Sequence, residues 1–260
     1  MTQQLFILTG ASRGMGLAMA QQLLQPGHTL ICMARNSNSQ LTAAVPAGAM
    51  LEQWTVDLSE PAPAAQQLHA WLAGQSAGRY ASATLINNAG VIPRIAPLSA
   101  CASAQDMADQ ARALRVGLEA PMLLTAAFLG ATEGWGAPPH AVARKVLNIS
   151  SGLGRRAMAS QAAYCAAKAG MDHFTRCVAL DEAAKAHGAS VCSLAPGVID
   201  TDMQIQLRGA SAADFPDVQN FAALKSGGML TTPAAAAARV LAWLERADFG
   251  SNPVADVRDA

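Results

Sequence analysis

Short apolar runs alternate with longer amphipathic stretches along almost the whole chain. Runs at 5–9, 29–33, 51–56, 145–149 and 191–194 have the length and apolar character of buried strands, and a weaker one at 84–86 is very short. A final short run lies at 254–257. Between them, 17–25, 61–72, 106–129, 162–186 and 233–246 are helical in composition. Pro61 and Pro233 suit a first helical turn, and Gly188 serves as a stop signal after 162–186. The stretches 36–48 and 134–139 read as connections. Strands alternating with helices predict one α/β domain over residues 1–260, a doubly wound parallel sheet with helices on both faces. Ligands of such sheets sit at the carboxyl ends of the strands, where strand order reverses.

Composition narrows the partners. Of 260 residues, 52% are hydrophobic and only 14% charged, so much of the surface is small or apolar. Burial in an oligomer would explain that, and so would an alanine-rich chain. The net charge is zero and no basic run exists, which argues against nucleic acid or an anionic membrane. No stretch approaches a transmembrane span and no charged leader precedes Leu5, so neither a membrane segment nor a targeting signal is expected. The five cysteines and five histidines show no metal-ligand spacing. Reduced core thiols in a cytoplasmic protein are the simpler reading.

Chemistry enters at Thr9-Gly10-Ala11-Ser12-Arg13-Gly14-Met15-Gly16, between the first strand and the first helix. Glycines let backbone turn tightly and approach a phosphate, and the following helix offers free N–H groups and its positive dipole end. Context therefore makes this loop a dinucleotide site. An enzyme selective for NAD places an acidic residue at the end of the second strand, but no Asp or Glu occurs before Leu51. Ala34-Arg35-Asn36 stands there instead, and Arg35 with Arg13 would clamp a 2′-phosphate. The expected cofactor is NADP(H).

Tyr164 and Lys168 are four apart in a helical segment and so share a face. A phenol titrating near 10 is a poor proton donor at neutral pH, and a neighbouring ammonium is expected to lower that value. Ser151, ending the fifth strand, can hydrogen-bond a substrate oxygen as charge develops on it.

Taken in order, TGASRGMG, DL at Asp57-Leu58, NNAG at 87–90, NISSG at 148–152, YCAAK at 164–168 and PG at Pro196-Gly197 resemble the classical short-chain dehydrogenase/reductase family. The resemblance spans the chain and implies a Rossmann-like fold, catalysis by Ser151, Tyr164 and Lys168, and a homodimer or homotetramer. By the same resemblance, Gly10, Ser12, Arg13, Gly14, Met15, Gly16, Arg35 and Asn36 hold the cofactor together with Asp57, Leu58, Asn88, Ala89 and Gly90. Pro196, Gly197, Val198 and Thr201 face the nicotinamide, while Tyr164 and Lys168 reach its ribose. The stretches VGLEAPMLLTAAF and AYCAAKAGMDHFTRCVA are similar to sepiapterin reductase-type enzymes and above all to bacterial benzil reductase. That narrower likeness implies reduction of a ketone or vicinal diketone.

One position departs from the family pattern. Gly117 stands where relatives carry an asparagine that supports a proton-relaying water, so an altered relay is expected. The irregular stretch 201–230 is expected to form a lid over the substrate. Oxidation of a secondary alcohol by the same residues is the alternative activity. A non-catalytic NADP(H) sensor is the alternative from another class, and only Gly117 favours it.

Overall fold

The computed structural model describes residues 3–259, a central sheet of seven parallel strands between two layers of helix. The strands are β1 (Gln3–Thr9), β2 (His28–Ala34), β3 (Met50–Thr55), β4 (Tyr80–Asn87), β5 (Ala143–Ile149), β6 (Ser190–Ala195) and β7 (Val254–Asp256), in the order β3-β2-β1-β4-β5-β6-β7. Strand order therefore reverses between β1 and β4. The helices are α1 (Gly14–Leu23), α2 (Ser39–Ala43), α3 (Pro61–Ala73), α4 (Ala104–Leu114), α5 (Ala120–Ala131), α6 (Ala162–Ala183), α7 (Asp202–Arg208), α8 (Val218–Ser226) and α9 (Pro233–Leu244).

The apolar run of β1 shows why the sheet is covered twice. Successive side chains point to opposite faces. Phe6 and Leu8 join Met19, Leu23, Val240 and Leu244 under α1 and α9, whereas Leu5 and Ile7 join Leu68, Leu72, Leu124 and Phe128 under α3 and α5. Both halves of the run are buried, so no polar alternation is left to see.

Four local readings change. The strand expected at 84–86 is eight residues long, because pairing with β1 and β5 on both sides extends it through the small, uninformative Ala81-Ser82-Ala83. The connection 36–48 contains α2, started by Asn38, whose Oδ1 accepts from the backbone N–H groups of Gln40 and Leu41 at 2.9 and 3.2 Å. The helix expected over 106–129 is α4 and α5 joined through a π turn, Arg115–Glu119, with Gly117 at its middle. A Cβ on Gly117 would lie 3.1 Å from the Ala167 Cβ, so the glycine lets α6 approach this turn closely. Finally, 201–230 is mostly helical, since α7 and α8 bury Leu207, Phe215 and Val218 with Ile92 and Ile95 in a small core of their own.

The continuous helical run Ala104–Ala131 is long and apolar enough to cross a membrane by length and composition, contrary to the sequence reading. Half of its most apolar window is buried inside the fold. Ala113, Val116, Ala120, Leu124 and Phe128 are each at most 7% exposed, which accounts for the hydropathy as core packing.

Candidate active site

At the carboxyl ends of the strands, beside the reversal between β1 and β4, lies a cavity of about 580 Å³. Its floor is tied across that reversal. Thr9 Oγ1 accepts from the backbone N–H groups of Asn88 and Ala89 at 2.9 and 3.0 Å, and Asn88 Nδ2 donates to the Thr9 carbonyl at 3.0 Å.

The glycine loop forms one side. Gly10 has φ +70° and its loop passes against Ala89, while a Cβ on Gly16 would stand 2.1 Å from the Gly10 carbonyl oxygen. Only glycine fits at that second position. Arg13 precedes α1 without a side-chain cap, so the first-turn N–H groups of α1 remain available to an anion. These features fit the pyrophosphate of a dinucleotide.

Nearly all the anticipated residues meet in this one cavity. Gly10, Ser12, Arg13, Gly14, Met15 and Gly16 line it with Arg35, Asp57 and Leu58. Asn88, Ala89, Gly90, Ser151, Tyr164, Lys168, Pro196, Gly197, Val198 and Thr201 line it as well. Asn36 is the exception. It is exposed and outside the lining, because β2 ends at Ala34 and the chain turns away there. Asn38 approaches instead, donating from Nδ2 to the Ser12 carbonyl at 3.4 Å.

The cationic end also differs from the sequence picture. Arg13 is paired with Asp202 of α7 at 2.8 Å, both side chains being about two-thirds exposed (68% and 67%). Such a pair is weak and exchangeable. Arg112, on α4, lines the cavity although nothing singled it out beforehand. The Ser59 N–H, donating to Asp57 Oδ1 at 2.9 Å, holds the Asp57 carboxyl below the usual carboxylate range, and Arg35 and Arg112 add to that pull.

At the opposite end the electrostatics reverse one expectation. Burial pushes the Tyr164 phenol up to about 12, against a downward pull from the Ser151 hydroxyl. The Lys168 ammonium does not offset that burial. The ammonium is 5.8 Å from the Tyr164 ring centre and donates to the Ile149 carbonyl at 2.7 Å. Burial brings Lys168 itself down to about 8, while Asp172 pulls it back up. Desolvation outweighs the pair interaction, Lys168 being 4% exposed and Tyr164 partly buried in the same wall.

Asp172, one turn beyond Lys168, is 2% exposed. Its Oδ1 accepts from Ser150 Oγ at 2.5 Å and Ser193 Oγ at 2.6 Å, and its Oδ2 from Arg155 Nε at 3.3 Å. The four-residue spacing Tyr164, Lys168, Asp172 was visible in the sequence and identifies Asp172 as part of the same helical face.

Comparison with known proteins agrees with this geometry. A family model for the short chain dehydrogenases matches residues 4–212. The chain is 33% identical over 255 residues to a benzil reductase ((S)-benzoin forming) from Bacillus cereus, covering 95% of this chain and 96% of that one. It is 31% identical to a sepiapterin reductase from Meriones unguiculatus, covering 97% and 95%. Among solved structures, a short-chain dehydrogenase/reductase from Burkholderia vietnamiensis matches with a TM-score of 0.60 at 32% identity, over 99% of this chain and 98% of that one.

Proposed function

The chain belongs to the short-chain dehydrogenase family of oxidoreductases acting on CH–OH and C=O groups, and we propose that it is an NADPH-dependent reductase of a ketone or vicinal diketone. The observation that carries this reading is the shared cavity, with Ser151, Tyr164 and Lys168 at one end and the glycine loop and Arg35 at the other.

When bound along this cavity, NADPH would supply the hydride that the carbonyl carbon takes up. Tyr164, its phenol pushed up to about 12 and so protonated at neutral pH, donates its proton to the carbonyl oxygen. Ser151, whose Oγ also accepts from the Leu153 N–H at 3.2 Å, orients that oxygen while it gains charge. Lys168, anchored by the Ile149 carbonyl, would hold the nicotinamide ribose and resupply the proton that Tyr164 gives up. With Gly117 in the π turn, this proton supply has no side-chain amide at that position.

Benzil is the first substrate to try, followed through NADPH absorbance. Turnover with NADPH supports the reading, and tight NADPH binding without turnover over a broad carbonyl panel overturns it.

Arg35 sets the cofactor preference in this reading, because β2 ends with no carboxylate and Arg35 faces the cavity. Arg35→Ala is expected to raise the NADPH dissociation constant roughly tenfold or more, the scale of one charge-assisted hydrogen bond of about 1.5–3 kcal/mol. NADH affinity should change little. Equal weakening toward both cofactors in a fluorescence titration would remove Arg35 from the selectivity. The enzyme works as a cytoplasmic homodimer or homotetramer in this proposal. Exposed Met107, Leu114, Met122 and Leu180 on α4, α5 and α6 supply an apolar face for the contact.

A further inference from the structure

The part of the cavity beyond Tyr164 is lined by Met158, Met203, Leu207 and Phe221, an apolar wall. Two glutamine amides interrupt it. Gln161 is 1% exposed, and neither its Oε1 nor its Nε2 has a hydrogen-bond partner. Gln204 of α7 is 7% exposed, and its Oε1 is also unpartnered. An amide withdrawn from water without a partner is unfavourable, and a leucine would fill the same slot without that penalty. Both residues belong to the cavity lining while these amide atoms are themselves withdrawn from solvent, so a polar ligand group settling against that wall would bring the missing partner.

The backbone gives an independent sign of the same site. Ser160, immediately before Gln161, has φ +62°, which a non-glycine residue rarely adopts. Its Oγ donates to the Asp214 carbonyl, fixing this turn from the segment between α7 and α8. Gln161 then starts α6, its carbonyl accepting from the Cys165 N–H at 2.8 Å. The strained turn thus delivers a polar side chain into a dry wall three residues before Tyr164.

We propose that Gln161, with Gln204 as a second amide in the same cavity, reads a hydrogen-bonding group adjacent to the carbonyl that is reduced, and so selects vicinal dicarbonyl compounds over simple ketones. This inference rests on the reductase reading above. Gln161 is the N-cap residue of α6, three positions before Tyr164, and both line the same cavity. The group met by Gln161 therefore lies beside the carbonyl at Tyr164, not at a distant end of the substrate. The Gln161 Nε2–H donates to the second carbonyl oxygen, while Tyr164 and Ser151 hold the first.

The test compares benzil with deoxybenzoin, which has the same two rings and one carbonyl fewer. The wild-type enzyme is expected to prefer benzil in kcat/KM. Gln161→Leu should reduce the benzil-to-deoxybenzoin ratio by about tenfold or more, the scale of a buried hydrogen bond left without its partner. Its Tm should not fall, since the change removes an unpaired buried amide. Gln161→Met, equally long and without polar ends, should give the same ratio and guards against a folding defect in the leucine variant. An unchanged ratio in either folded variant overturns the inference, as does a fall in Tm with equal loss on both substrates, which would make the amide structural. If the wild type reduces both compounds equally well, this inference fails while the reductase reading stands. If it reduces neither yet binds NADPH, the reductase reading fails and takes this one with it.

Discussion

Replacing Tyr164 with phenylalanine should lower kcat for carbonyl reduction about 10²–10⁴-fold, the contribution of a positioned general acid. That range corresponds to roughly 3–5.5 kcal/mol of transition-state stabilisation. The reason is local. Tyr164 packs against the small core of Ile92, Leu207 and Phe215, so phenylalanine keeps the shape of the wall and removes only the hydroxyl with its proton. Because burial holds the phenol near 12, ionisation of Tyr164 does not shape the activity profile at ordinary pH. The basic limb of that profile should come from Lys168, whose ammonium is lost near pH 8. NADPH should still bind the variant, since the glycine loop and Arg35 are untouched. The checking measurement is single-turnover NADPH oxidation beside a fluorescence titration. A kcat within about threefold of wild type would show that another group delivers the proton.

The fold was legible because β1, β2, β5 and β6 are short apolar runs with punctuation on both sides, and buried parallel strands are written that way. The shortened reading of β4 has a physical cause. Ala81, Ser82 and Ala83 carry no periodic signal, and the strand exists there because β1 and β5 supply its hydrogen bonds. The π turn was illegible for a related reason. Apolar periodicity runs through most of 104–131 despite Gly117 and Pro121, whereas the extra residue per turn goes with the close packing of α6 against Gly117.

At the site, identity and spacing located the cavity lining but not its electrostatics. The sequence showed Lys168 one turn from Tyr164 and suggested a lowered phenol. The sign changed because dryness is a property of the assembled wall, to which Ile149, Val116 and Met158 contribute from distant segments. Arg112, Gln161 and Gln204 were missed for the same reason. Each is an ordinary polar residue of a helix or helix start, and only the packing reveals that it faces the cavity. Asn36 lies outside the lining for the opposite reason: it directly follows Arg35 after β2, but the chain is already turning outward there.

Asp172→Asn is expected to destabilise the protein by about 3 kcal/mol and to move the basic limb of activity to lower pH. Truncating one partner of a buried charge network typically costs about 3–5 kcal/mol, and the low end applies here because the Arg155 side chain is one-third exposed (34%) and can reach water. Ser150 and Ser193 can still donate to the amide oxygen, so their hydrogen bonds survive. What disappears is the carboxylate that raises Lys168 against desolvation. Without it the Lys168 ammonium is lost below pH 8, and activity that depends on the ammonium declines from a lower pH upward. The linkage has a definite sign. Lys168 titrates at about 8 in the fold and near 10.5 when exposed, so between those values the unfolded chain holds more protons and stability rises with pH. In the variant that window extends to lower pH, and the stability gap from wild type should narrow as the pH is raised from 7 to 9. Urea unfolding at both values, with the pH dependence of kcat/KM, tests the two consequences separately. A constant gap together with an unmoved basic limb would mean that Asp172 holds only Ser150, Ser193 and Arg155, with no influence on the lysine.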